Sequence, residues 1–293
     1  MRLWTSSCPI ISPIQFADPL KRLLHLSDLH FGRVRPELLD PLIAQVNDLA
    51  PDLVAISGDL TQRARDWQFM RAREMMDRIK PPCLVVPGNH DTPLDRPIER
   101  LFFPWRRYRK WISQDLAPQV HEPGWSVIGL NSVNHLSWQR GRYRGAALRC
   151  VRDGFADTPE GDFRIVVAHH PVDHRPEDDK QLTRGADKAR VALAEAGTDI
   201  LLTGHLHSWR VDVFGKGPGD PAVLQVHAGT VLSSRLRGEE NDFNLLTVGD
   251  GQVQVERFAN RADDSGYDRV RSTRFQRNAT GWEQVCHEVT GRV

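Results

Sequence analysis

Five short polar segments of this 293-residue chain hold side chains able to do metal chemistry: Asp28-Leu29-His30, Gly58-Asp59, Gly88-Asn89-His90-Asp91, His169-His170-Pro171 and Gly204-His205-Leu206-His207. They offer imidazole nitrogen, carboxylate oxygen and amide oxygen, and none of them contains cysteine. That donor set suits borderline or hard divalent ions such as Mn, Fe or Zn, and argues against a thiolate structural site. An aspartate can bridge two ions while histidines and an asparagine complete each shell. Two ions about 3.5–4 Å apart can clamp the attacking and leaving oxygens of an in-line phosphoryl displacement. Singly, Asp-x-His or Gly-Asp is ordinary turn chemistry. Together, in this order, the segments point to a metal centre.

The elements that must position these residues are equally legible. Each segment follows a leucine-rich or β-branched run, at residues 23–26, 53–56, 83–86, 165–168 and 200–202. Runs of this kind, bounded by Gly, Pro or Asp, read as strands buried on both faces. The polar residues therefore fall at the carboxyl ends of neighbouring strands, where open α/β sheets place their ligands. Gathering so much acid and imidazole in one dry volume is costly without a cation to pair with. Between the motifs, apolar residues at helical spacing predict helices over 36–49, 65–79, 146–155 and 186–196. After Gly204 the pattern changes: 209–214, 222–227, 243–248 and 252–258 alternate like antiparallel strands between turns. A β-α repeat followed by a β meander implies two stacked sheets with helices outside.

Taken together, the five motifs resemble those of calcineurin-like metallophosphoesterases, in the branch of bacterial class III cyclic-nucleotide phosphodiesterases and glycerophosphodiesterases. The resemblance spans roughly residues 21–258. It implies an α/β fold, a four-layer α/β/β/α sandwich of two mixed sheets flanked by helices. It also implies that Asp28, His30 and His207 bind one metal, that Asn89, His169 and His205 bind the other, and that Asp59 bridges both, with a metal-bound hydroxide as nucleophile. His90, beside a ligand but not one itself, would face the substrate and stabilise the developing charge or protonate the leaving oxygen. His169 keeps the His-x-Pro spacing and is the expected ligand of its pair, leaving His170 to pack or hydrogen-bond. One position departs from the family pattern. Many relatives carry an aspartate three residues after the bridging one, and here Gln62 stands there. An amide can accept a hydrogen bond from imidazole but cannot stabilise the protonated ring as a carboxylate does. Asp91 is the candidate substitute. Arg63 reads equally as a side chain that reaches a phosphate oxygen or as an exposed arginine at a helix start.

Specificity is expected from residues 96–111, where Arg100, Arg106, Arg107, Arg109 and Lys110 interleave with Phe102, Phe103, Trp105, Tyr108 and Trp111. The segment reads as a rim that meets the substrate's non-reacting group by stacking and cation–π contact, or that rests on an anionic lipid surface. The competing reading is an amphipathic helix with its aromatics in the core. Residues 131–145, with Asn134, His135, Trp138 and Arg142, form a second rim candidate.

Composition fits one large domain at 21–258 with an N-terminal extension at 1–20 and a C-terminal one at 259–293. A formal charge of +1 gives no general attraction to a polyanion, so duplex nucleic acid is not an expected partner. Four scattered cysteines point to a reducing cytoplasm. No apolar stretch approaches the ~20 residues of a membrane span, and residues 1–19 lack a signal-peptide pattern. The reading is a dinuclear metal-dependent phosphodiesterase for cyclic nucleotides or other small phosphodiesters, with homo-oligomerisation left open. Its alternatives are a phospholipase C-like or glycerophosphodiester hydrolase and, more remotely, a metal-free scaffold of the same fold.

Overall fold

Strand β1 (Lys21–Leu26) sends Leu24 and Leu26 into one apolar cluster and Leu23 into another, as the two-residue period of a strand requires. β2 (Leu53–Ile56) divides the same way, Val54 and Ile56 against Leu53 and Ala55. On one side these residues meet α1 (Leu39–Leu49) through Leu42, Ile43 and Val46, and α2 (Asp66–Arg78) through Phe69, Ala72 and Met75. On the other they meet a second sheet, whose β5 (Trp125–Leu130), β6 (Phe163–Ala168) and β7 (Ile200–Thr203) contribute Trp125, Val127, Ile165, Val167 and Leu202. The far face of that sheet, with Ile128, Val166 and Leu201, packs on Val151 of α5 (Gly145–Gly154) and on Ala189 and Leu193 of α6 (Ala186–Glu195). Three apolar layers thus separate helix, sheet, sheet and helix. The computed structural model in which this is seen describes residues 20–173, 180–215, 222–278 and 281–289.

The first sheet has the order β13-β12-β11-β10-β1-β2-β3 and the second β4-β5-β6-β7-β9-β8. Here β3 is Cys83–Val85, β4 Gln119–Glu122, β8 Arg210–Phe214, β9 Val223–His227, β10 Asp242–Gly249, β11 Gln252–Asn260, β12 Tyr267–Asn278 and β13 Gly281–Val289. β1, β2 and β3 are mutually parallel, as are β5, β6, β7 and β9. Their carboxyl ends open at one edge of the sandwich. The chain reaches β4 through two short helices, α3 (Pro97–Phe102) and α4 (Arg106–Trp111). Among the described residues no helix is long and apolar enough to cross a membrane.

Three expectations need correction. Residues 223–227 do form a strand, antiparallel to β8 as expected, but on its other side β9 pairs parallel with β7, so its following loop opens toward the metal motifs. The sheet does not stop at Phe258. β11 continues to Asn260, and β12 and β13 add two antiparallel strands that bury Tyr267 and Phe275 and pack Trp282 between the sheets. The end of β11, β12 and β13 are thus part of the first sheet rather than an extension apart from it. β4 and β5 were not assigned from the sequence at all. The expected N-terminal extension lies outside the described residues, apart from Leu20.

Candidate functional site

The ladder between β1 and β2 runs on past the strand ends: the backbone amides of Asp28, His30 and Phe31 donate to the carbonyls of Gly58, Asp59 and Leu60 at 3.1, 2.9 and 2.8 Å. To keep these bonds while turning side chains inward, Asp28, His30 and Asp59 take φ of 52°, 52° and 53°, and His205 and His207 take 72° and 59°. Left-handed backbone at non-glycine residues costs roughly 1–2 kcal/mol each, and five such residues facing one another mark a site the fold holds under strain. Close approach explains the glycines beside them. A Cβ on Gly58 would stand 2.7 Å from the Gly88 amide, one on Gly88 would overlap the Asp59 carboxylate, and one on Gly204 would overlap Ser27 Oγ.

Each aspartate has one oxygen tied to the scaffold and one turned into the cluster. Asp28 Oδ2 accepts from Ser27 Oγ at 2.6 Å and from the His205 amide at 2.8 Å. Its Oδ1 stands 3.5 Å from His30 Nε2 and 3.1 Å from His207 Nε2. Asp59 Oδ1 accepts from the His90 amide at 2.8 Å. Its Oδ2 stands 3.7 Å from His30 Nε2 and 3.4 Å from His169 Nε2. His169 Nε2 in turn lies 3.2 Å from Asn89 Oδ1 and 3.2 Å from His205 Nδ1, and His30 Nε2 lies 3.0 Å from His207 Nε2. The seven expected ligands therefore converge in one cluster, with Asp59 Oδ2 standing between His30 and His169.

The residues present fit divalent ions. His169 Nδ1–H donates to the Ser57 carbonyl at 2.8 Å and His207 Nδ1–H to the Arg235 carbonyl at 3.0 Å, so the Nε2 of each turns a lone pair inward, as the outer partners of ligating histidines do. Those lone pairs face other acceptors: Asn89 Oδ1, Asp59 Oδ2 and Asp28 Oδ1. Acceptor against acceptor in a dry pocket calls for a cation between them. Asp28 Oδ1, fully buried, has no hydrogen-bond donor among the described residues. Ligand atoms about 2.1 Å from one ion stand roughly 3.0–3.4 Å apart, close to the spacings seen. Grouped by donor atoms lying within 4.8 Å of one another, Asp28, His30 and His207 form one set, Asp28, Asp59 and His169 a second, His30, Asp59 and His90 a third, and His169, His170 and His205 a fourth.

Electrostatics point the same way. Burial alone would raise Asp28, but His207 and His30 beside it hold its carboxyl well below the usual range. Asp59 is likewise held down against burial, mainly by His169 and His90. Burial pulls the His169 imidazole down, yet the Asp59 and Asp28 carboxylates outweigh it and lift the ring to about 9. The field that would put a proton there would equally hold a metal ion.

Beside this cluster, adjoining it through His90, lies an open cavity of about 600 Å³, lined by Arg33, Gln62, Arg63, His90, Trp138 and Arg235 among others. His90 Nδ1–H donates to the Gln62 backbone carbonyl at 2.8 Å, while the Gln62 side-chain amide stands off at 3.4 Å. The backbone, rather than the substituted side chain, orients the ring. Asp91 does not replace the missing carboxylate. Its oxygens accept from the amides of Leu60, Thr61 and Gly88 at 3.2, 2.9 and 2.9 Å, stapling the loops after β2 and β3 together. Burial takes His90 down to about 4, with Asp59 opposing and His30 and Arg235 adding to the fall. His170 has the hydrogen-bonding role expected of it, with Ser132 Oγ at Nδ1 at 2.9 Å and the Gln139 carbonyl at Nε2 at 3.0 Å, and these contacts anchor the 131–145 loop.

The rim residues are less well brought together. Arg63 lines the cavity, half-buried. Arg107 does not: it is buried, donating to the Ala64 carbonyl at 2.8 Å and pairing with Glu99 at 2.9 Å and Asp66 at 3.1 Å, which clamps α4 to the start of α2. Arg106 faces solvent, 3.7 Å from Glu99. His135 stays off the cavity and offers its backbone carbonyl to Arg100, whereas Trp138 of the same loop lines it. Sequence reasoning missed Arg235, on the loop after β9. Its Nη1 is 3.4 Å from Gln62 Oε1 and 3.5 Å from His90 Nε2. No sequence signal marks it, because the parallel pairing of β9 with β7 that carries that loop to the ligand edge is seen only in the structure.

A family model described as calcineurin-like phosphoesterase matches residues 21–209, and the chain belongs to that family. It is a phosphoric ester hydrolase by class. Escherichia coli 3',5'-cyclic adenosine monophosphate phosphodiesterase CpdA is 23% identical over 87% of this chain and 92% of its own. Glycerophosphodiester phosphodiesterase GpdQ of Enterobacter lignolyticus is 32% identical, but the match spans only 24% of this chain and 29% of that protein. Among solved structures, the purple acid phosphatase PPD1 of yellow lupin superposes with a TM-score of 0.67 at 14% identity, over 90% of this chain and 55% of its own, a likeness of fold.

Proposed function

We propose that this chain is a dinuclear metal-dependent phosphodiesterase acting on cyclic nucleotides or other small phosphodiesters. The observation that supports it is Asp59 Oδ2, set 3.7 Å from His30 Nε2 and 3.4 Å from His169 Nε2, from where a single oxygen could serve both donor sets. Asp28, His30 and His207 would hold one ion and Asn89, His169 and His205 the other. When bound, two such ions supply Lewis acidity toward phosphoryl oxygens and an activated water. Mn, Fe and Zn all suit the donors.

The chain's own groups do the rest. Arg235 offers a cation to a non-bridging phosphoryl oxygen, and Gln62 orients its guanidinium without neutralising it. Arg63 lines the same cavity for the diester's outer charge. Low basicity, a neutral carbonyl on Nδ1 and a neighbouring guanidinium keep His90 uncharged, and bound dications would depress it further. Its Nε2 therefore acts as an acceptor that orients a substrate hydroxyl rather than as a proton donor. The cyclic-nucleotide assignment draws on the relative named for that substrate over nearly its whole length. A glycerophosphodiester is the second reading, favoured by the shorter match. Scattered cysteines favour a reducing, cytoplasmic setting. The test is a Mn-supplemented hydrolysis screen across cyclic nucleotides, glycerophosphocholine, an aryl phosphodiester and an aryl phosphomonoester. Turnover of the monoester alone would reject the diester assignment.

A further inference from the structure

Large apolar side chains gather in the open beside the cavity mouth. None of the residues of α3 is buried; Ile98, Leu101, Phe102 and Phe103 on it and just after it, with Leu136 and Trp138 on the facing loop, are 51–75% exposed. These two segments form one surface, because the Arg100 guanidinium donates to the carbonyls of His135 and Ser137 and lies 6.0 Å from the Trp138 ring. Trp138 also lines the cavity that holds His90 and Arg235. A monomer rarely leaves such a patch uncovered without use.

Charge and shape say what covers it. On residues 95–111, Arg96, Arg106, Arg109 and Lys110 are exposed against one exposed acid, Asp95, while Arg107 is buried against Glu99 and Asp66, in a chain whose formal charge is only +1. Arg33, Arg63 and Arg235 continue the positive face around the mouth. A second copy, meeting this face across a two-fold axis, would set that charge against itself. A partner helix would need a groove, whereas these side chains project from a short helix and a loop tip. Projecting apolar groups ringed by cations match an anionic lipid surface, where the tips enter the acyl boundary and the cations meet headgroups.

We propose that α3 and the 134–138 loop dock this chain onto anionic phospholipid membranes, with the cavity mouth facing the headgroups. The docking is independent of which diester the site hydrolyses.

The test is co-sedimentation of the full chain with vesicles of phosphatidylcholine, alone or mixed with phosphatidylglycerol, scored without any hydrolysis assay. Binding to the mixed vesicles only, weakened by added salt, is expected. The triple variant Ile98→Ser, Phe102→Ser, Phe103→Ser should lower the partition coefficient at least about tenfold with an unchanged thermal midpoint. If the triple variant unfolds, Ile98→Ser alone, at the most exposed of these positions, repeats the measurement. Absence of binding to the mixed vesicles, or equal binding by the variant, overturns the proposal. So does a wild-type dimer in velocity sedimentation that the same substitutions turn into a monomer, which would assign the patch to a second copy.

Discussion

Arg235→Gln separates the two tasks of residue 235. Its backbone carbonyl holds His207 Nδ1 at 3.0 Å, and the substitution leaves that carbonyl in place. Its guanidinium, 3.5 Å from His90 Nε2, is removed. A cation about 4 Å from a phosphoryl oxygen at an effective dielectric near 20 is worth roughly 4 kcal/mol. Arg235 is half-buried, so solvent competes, and about 1.5–3 kcal/mol is the proper range for one charged hydrogen bond. The expected outcome is a fall in kcat/KM of roughly 10- to 150-fold for phosphodiesters, with metal content unchanged. Arg235→Lys should recover part of the loss, since a point charge remains without the planar fork. The inhibition constant of inorganic phosphate should rise in parallel. A kcat/KM within about twofold of wild type, or a loss that tracks loss of metal, would refute the anion-binding role.

Other outcomes follow from neighbouring observations. His90→Ala should lower kcat/KM by roughly ten- to a hundredfold through an unmade hydrogen bond, equally for nitrophenolate and alkoxide leaving groups; a markedly larger loss on the poor leaving group would restore His90 as the acid. Gly204→Ala drives a Cβ into Ser27 Oγ and to 2.5 Å from Asp28 Oδ2, so overpacking should cost about 1–3 kcal/mol and weaken metal binding; calorimetry showing an unchanged midpoint would contradict it. His25 is fully buried, and burial takes it down to about 3 although Asp28 pulls the other way. Its folded pKa lies below the unfolded 6.5, so the stability it contributes is present above pH 6.5 and lost as pH falls toward 3. Metal-free wild type should therefore lose roughly 1 kcal/mol more than His25→Asn between pH 8 and 5.5, read by denaturant titration, and equal losses would count against it.

Where a residue's role depends on what precedes it in the chain, the sequence was readable. Asp28, Asp59, Asn89, His169 and His205 each follow a buried run by a few residues, and parallel strands bring such positions to one edge. Where the role depends on which strand lies beside which, it was not. Arg235 looks like any loop arginine until β9 is known to pair parallel with β7. β12 and β13 alternate, but Arg269, Arg271 and Arg274 on β12 mask the apolar face that Phe275 buries. Arg107 and Arg106 are neighbours of one type, yet one face of α4 packs on α2 and the other meets water, so only packing could tell a clamp from a solvated charge. Gln62 suggested a weakened His90, and its backbone carbonyl turned out to hold the ring.

The central claim is that one aspartate joins two metal sites. It is tested most directly by counting ions per chain by mass spectrometry after equilibration with Mn and removal of free metal, in wild type and in Asp59→Ala. Two ions per wild-type chain and no more than one in the variant are predicted, because Asp59 Oδ2 lies 3.7 Å from His30 Nε2 and 3.4 Å from His169 Nε2, within reach of both proposed sites. A wild-type chain that holds none, or an Asp59→Ala chain that keeps both, would contradict it.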